Sequence, residues 1–244
     1  MRAVVGVLML LAAASPAWAQ SPLVAELRAF ASRYHENPAR LDEIRDGLEQ
    51  ALRTDSHVEN LVALAHVCFI WGDVRAKTPE EKLEAYERGR QAGKRAIELA
   101  PRDHLAHFWY ATNSGRWGQT KGVVRSLFLL PTVKEEIRIV LDLAPKFAPV
   151  YSLAGNVFYE VPALFGGDLD KAEEMFRKGL ALEPKFTGMR VGLAKTLIKK
   201  GRATEARREL QSVLDEKAPS NPADWKLKDA PQARQFLEAV KGKP

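Results

Sequence analysis

The chain has 244 residues, of which 46% are hydrophobic, 28% charged and 8% aromatic, proportions of an ordinary globular protein. They exclude a collagen-like, low-complexity or largely disordered chain, and a single cysteine excludes an internal disulfide scaffold. The formal charge of +6 is spread over helical faces without interleaved aromatics, so no nucleic-acid track is expected.

The first element in chain order is an address. Arg2 supplies a positive start, an uncharged apolar run follows to Ala14, and Ala17-Trp18-Ala19 is a small-x-small cleavage site. That is the pattern of a cleaved signal peptide over residues 1–19. The run falls short of the ~20 residues a bilayer requires, and no later stretch is long and uncharged enough to span one. Residues 20–244 then form one elongated helical-repeat domain of charge +5. Cys68 lies far from the cleavage site, so no lipidated N-terminal cysteine is expected and the predicted location is the periplasm. Its place in the apolar run LVALAHVCFIWG predicts a buried core residue.

Helices are predicted in pairs: residues 22–36 with 39–54, 58–71 with 79–99, and 104–115 with 132–143. The pairs 149–161 with 169–182 and 188–199 with 203–216 follow, and a capping helix at 231–240 ends the stack. Thr78-Pro79-Glu80-Glu81 reads as a helix start, with a cap, a proline at the first position and acids in the first turn. Asp168, after Gly166-Gly167, reads as a second cap. The segments AIELAP, VLDLAP and GLALEP each read as a last helical turn stopped by Pro101, Pro145 or Pro184. Ten residues beyond each proline stands a small residue, Ala111, Gly155 or Ala194, where a neighbouring helix can approach closely.

The pairs Ala172 and Ala206, Phe176 and Leu210, and Leu180 and Leu214 are each 34 residues apart, the tetratricopeptide period. Gly201 falls in the tight turn of the final unit. Longer spacing upstream implies a five-residue insertion in VPALFGGD and a ten-residue insertion within residues 116–131. The predicted fold is all-α, a tetratricopeptide-like α-solenoid of stacked hairpins with inter-helix insertions and a C-terminal cap.

No catalytic constellation is legible. His104 and His107 share a helix face but lack a third ligand and the glutamate of the metalloprotease motif. Cys68 has no electropositive neighbour in sequence, Ser152 is not in a nucleophile elbow, and no glycine pair sits in a phosphate-loop pattern. No enzyme activity, cofactor or metal is therefore expected; a hydrolase with an unrecognised site is the alternative from the enzyme class. The most unusual stretch is HFWYATNSGRWGQTKG, residues 107–122. Trp109 and Tyr110 can pack the core, whereas Asn113, Arg116 and Trp117 suit a pocket or docking surface rich in aromatics and arginine. Counting repeat positions places Thr112, Gly115 and Arg116, then Asn156, Tyr159 and Glu160, then Lys195, Ile198 and Lys199 on the concave face. The candidate binding residues are Trp109, Asn113, Arg116, Trp117, Asn156 and Tyr159.

The segments HFWYATNSGRWGQTKG, APVYSLAGNVFYEVPALFGGDLDKAEEMF and PADWKLKDAPQARQFLE resemble the tetratricopeptide T component associated with TRAP (tripartite ATP-independent periplasmic) transporters. The resemblance runs from about Pro101 to the C-terminus. It implies a periplasmic adaptor that docks a TRAP solute-binding protein and binds or passes a hydrophobic small molecule. Residues 106–135 also resemble, more distantly, animal regulators of microtubule dynamics, a role at odds with an export signal. A homo-oligomer is compatible with the same faces. The second functional reading is a tetratricopeptide scaffold for envelope assembly, with no internal ligand cavity.

Overall fold

The computed structural model describes residues 21–242 apart from Asp55, so the predicted signal peptide lies outside the described residues. The elements are α1 (Pro22–Phe30), α2 (Arg40–Ala51), α3 (Val58–Val74), α4 (Pro79–Leu99), α5 (His104–Lys121) and α6 (Val123–Leu143). Then come α7 (Ala148–Glu160), α8 (Leu169–Leu182), α9 (Thr187–Lys199) and α10 (Ala203–Asp215). Short α11 (Pro222–Asp224), a π-helical turn (Trp225–Asp229) and α12 (Ala230–Ala239) end the chain. Among the described residues every regular element is helical, and consecutive helices stack into a tetratricopeptide-like solenoid.

Local chemistry sets the boundaries. Thr78 and Glu81 exchange the two hydrogen bonds of a capping box ahead of α4. Asp103 caps α5 by accepting from the Leu105 and Ala106 amides, and Asp168 caps α8 through Asp170 and Lys171. Helices α4, α6 and α8 each stop two residues before Pro101, Pro145 and Pro184, as the residue preceding proline resists the α conformation. Gly201, at φ 76°, turns the chain from α9 into α10.

Three apolar clusters run along the stack. The first joins α1–α5 around Leu41, Ile44, Leu48 and the wholly buried Cys68, whose thiol burial pushes up to about 12. The second surrounds Phe108, Val140 and Val150, and the third Phe176, Met189 and Leu210. The small residues explain the closeness of the helices: a Cβ on Gly155 would lie 2.7 Å from the Phe176 ring, and one on Gly192 2.6 Å.

Three sequence expectations need correction. Helix α1 ends at Phe30 rather than at residue 36, because the chain turns there to bury Tyr34. Residues 116–131 do not loop out. They lengthen α5 and α6, broken only at Gly122, whose φ of 107° reverses the chain. Pro131 sits inside α6, forfeiting one amide donor that the long flanking helix tolerates. The C-terminal segment is also more than a cap, since Ala223 is wholly buried within the N-terminal cluster.

Candidate functional site

The inner faces of α1, α3, α5, α6 and α7 enclose a channel of about 1140 Å³. Its walls are mainly apolar, with Leu27, Phe69, Phe108, Trp109, Leu130 and Val157 among them. Trp109 stacks on His66 at 3.9 Å between ring centroids, nearly parallel, and meets Phe108 edge-on at 4.8 Å. Burial pulls the His66 imidazole down to about 4, so it is neutral at physiological pH and behaves as part of the aromatic wall.

The C-terminal segment closes this channel against the N-terminal helices. The Ala223 amide donates to the Ser32 carbonyl at 2.9 Å, and the Tyr34 hydroxyl to Asp224 Oδ1 at 2.6 Å. Lys228 bridges Asp224 at 3.0 Å and Asp73 at 3.1 Å. Asp73 also receives Arg116 at 2.5 Å and the Tyr86 hydroxyl at 2.7 Å. Burial pushes the Asp73 carboxyl up, but the Arg116 and Lys228 charges and these hydrogen bonds prevail and hold it below its ordinary value. The seam therefore joins residues 155 and 190 positions apart.

The sequence-predicted residues divide. Trp109, Arg116 and Asn156 line the channel, as do Thr112, Gly115, Glu160 and Lys195. Asn156 is exposed and donates to the Ser152 carbonyl at 2.9 Å. Asn113 does not reach the channel. It is wholly buried, its amide donating to the Ala65 carbonyl at 3.0 Å and the Trp109 carbonyl at 2.8 Å. It abuts Gly89, so its role is to join α3, α4 and α5.

Trp117 is absent from the lining, and the cations of Arg90 and Lys121 approach its ring at 5.2 and 5.7 Å. Tyr159 lies outside the lining too, beneath Lys195 and Lys199 at 4.7 and 3.6 Å from its centroid. Ile198 and Lys199 likewise lie off the channel. His107 holds Glu136 at 2.5 Å and the Pro101 carbonyl at 3.0 Å, a clip between α5 and α6. Sequence reasoning missed His66, Tyr34, Asp73 and Lys228. A period-based count could have brought α3 to the inner face, but no local spacing marks the seam.

The chain matches the family described as "Regulator of microtubule dynamics protein 1-3" over residues 26–165, more than half its length, and a tetratricopeptide repeat family over 166–228. Regulator of microtubule dynamics protein 2 of Rattus norvegicus is 29% identical over 104 residues, 39% of this chain and 25% of that protein. The Mus musculus protein of that name is 30% identical over 92 residues, 38% of this chain and 22% of its own. The chain thus spans about a quarter of the length of these curated relatives. Among solved structures, a thermophilic TPR protein of Thermus thermophilus superposes with a TM-score of 0.62 at 23% identity. That match covers 86% of this chain and 95% of the other. MamA (41-end) of Desulfovibrio magneticus RS-1 gives 0.51 at 17% identity, covering 81% and 96%. Both show the fold, and the match over residues 26–165 shows the family: the chain belongs to the regulator of microtubule dynamics protein 1-3 family.

Proposed function

We propose that this protein is a non-enzymatic, exported helical-repeat scaffold that carries an apolar ligand in its channel while docking a protein partner. The single observation behind the ligand is the channel itself, mainly apolar along its walls, with charged residues at the C-terminal seam and at Arg28, Glu59, Glu160 and Lys195. A channel of this size suits an apolar chain with a polar end, since most of the wall it would cover is apolar and charged groups are at hand for the end. The partner is a TRAP-type solute-binding protein, a reading supported by the resemblance of residues 101–244 and by the signal-like N-terminus. The microtubule role in the relatives' name does not transfer to an exported chain.

The test is titration of a fluorescent sixteen-carbon fatty acid into the vesicle-free protein, beside Ser152→Trp. Ser152 lines the channel, and a bulky ring there narrows it. Saturable binding weakened about tenfold or more by the ring is expected, because displaced apolar contact is worth ~25 cal/mol per Å². Equal binding by both proteins, or none by the natural chain, would remove the channel from the function. Periplasmic co-purification that recovers envelope-assembly factors and no solute-binding protein would replace the partner.

A further inference from the structure

The two insertions over the repeat length expose most of the large apolar side chains that the stack leaves uncovered. Val123, Val124 and Phe128 of α6 are 70, 80 and 74% exposed, and Leu164 after α7 is 88% exposed. Phe165 beside it is also exposed. The two segments are joined: Lys134 Nζ lies 3.5 Å from the carbonyl oxygens of both Phe165 and Gly166. The α7–α8 connection is therefore held against α6 at Lys134, about 9 Å along the helix from Phe128.

Helix α6 has 21 residues against 13 in α7, and the difference corresponds to roughly 12 Å of extra helix. Its first half is apolar on two faces. Leu127 and Leu130 look into the channel, while Val124 and Phe128, four residues apart on the opposite stripe, meet solvent. A helix apolar on both sides normally lies buried on both.

The charge of the α5–α6 tip has one sign, whereas the α7–α8 connection lies between Glu160 and Asp168. Between Trp117 and Val133 the charged residues are Lys121 and Arg125, with no carboxylate among them. Arg125 stands in the first turn of α6, between the exposed Val124 and Phe128. Exposed apolar side chains interleaved with basic ones match the boundary of an anionic bilayer, where the apolar groups enter the acyl region and the cations meet headgroup phosphates. A second copy of this chain would bring the same basic residues against themselves.

We propose that the α5–α6 tip seats the protein on an anionic membrane surface. Val124 and Phe128 insert, and Lys121 and Arg125 face the headgroups. The channel wall runs to Val123, so the channel reaches the seated tip.

Sedimentation of the full chain with vesicles tests this, using 7:3 phosphatidylcholine:phosphatidylglycerol and pure phosphatidylcholine. Binding to the anionic vesicles is expected, weakened about tenfold or more by Val124→Ser with Phe128→Ser and again by raising salt from about 0.1 to 0.5 M. Arg125→Glu should weaken binding with the apolar tip intact, and Ser152→Trp should leave it unchanged, which separates this surface from the channel. No pelleting of the natural chain, or equal pelleting of the variants, overturns the proposal. So does a solution dimer that the same double variant dissociates while no vesicle binding is seen, which assigns the tip to a second copy.

Discussion

The α8–α10 region and the α5–α6 tip use the same kind of helix to opposite ends. In the first, Phe176 is wholly buried between Gly155 and Gly192, and Glu173 collects Lys200, Arg177 and Arg202. Burial pushes the Glu173 carboxyl up, yet those hydrogen bonds more than offset it and hold the group at about 2. In the second, Phe128 stands in solvent and the cations outnumber the carboxylates. Lengthening a repeat helix beyond its neighbours leaves the outer face of the added turns with nothing of the chain's own to cover it. Surfaces for other molecules arise there, while the regular units supply rigidity.

The largest expected effect sharpens that contrast. Phe176→Ala should cost about 3–5 kcal/mol of folding free energy, because the ring is locked between two glycines and the cavity cannot collapse readily. Phe128→Ala should stay within about 0.5 kcal/mol, as it removes a side chain already in water. Urea unfolding of both measures the difference. Comparable losses would mean that the tip is packed in solution and would dissolve the comparison.

Much of this fold was legible in the sequence. The proline stops, the caps at Thr78 and Asp168, the turn at Gly201 and the buried Cys68 all follow from local preference, and the structure places each as expected. The channel was half legible. With about 100° per residue, Thr112 and Arg116 fall on the same side of α5 as Trp109, whereas Asn113 and Trp117 rotate about 40° and 80° the other way. Residue type alone had put Asn113 and Trp117 in the site, and helical phase removes them. The seam was not legible, because Asp73, Asp224 and Lys228 meet Tyr34 and Arg116 only through the curvature of the whole stack.

The seam carries the second prediction. Asp229 is buried under α9, with Thr187 Oγ1 donating to it at 2.7 Å. Burial raises its carboxyl to about 6; the Thr187 bond and Lys228 oppose the rise, and Asp224 adds to it. The folded chain therefore holds this proton more tightly than the unfolded chain, whose ordinary value is 3.8. Its stabilising contribution is complete below about pH 4 and disappears as pH climbs through 6, a change of about 2–3 kcal/mol. Asp229→Asn keeps an acceptor for Thr187 without the charge. It should flatten thermal stability between pH 4 and 7 and raise the melting temperature at neutral pH. A variant as pH-dependent as the natural chain would show that Asp229 ionises freely and that the C-terminal turn is looser than the α8–α10 unit.

The smallest expected effect bears on where the site ends. Two cations approach the Trp117 ring, which is absent from the channel lining, so Trp117→Ala removes two partly exposed cation–π contacts. Such contacts are worth about 0.5–1 kcal/mol each, so stability should fall by about 1–2 kcal/mol. Fatty-acid affinity should stay within about twofold, since a loss there needs a contact with the ligand worth at least ~0.4 kcal/mol. Paired titrations of Trp117→Ala and Ser152→Trp measure this directly. If Trp117→Ala weakened the fatty acid as much as the narrowed channel does, the ligand would have to reach past Arg116 to the outer side of α5. The boundary between the channel and the basic tip would then have to move.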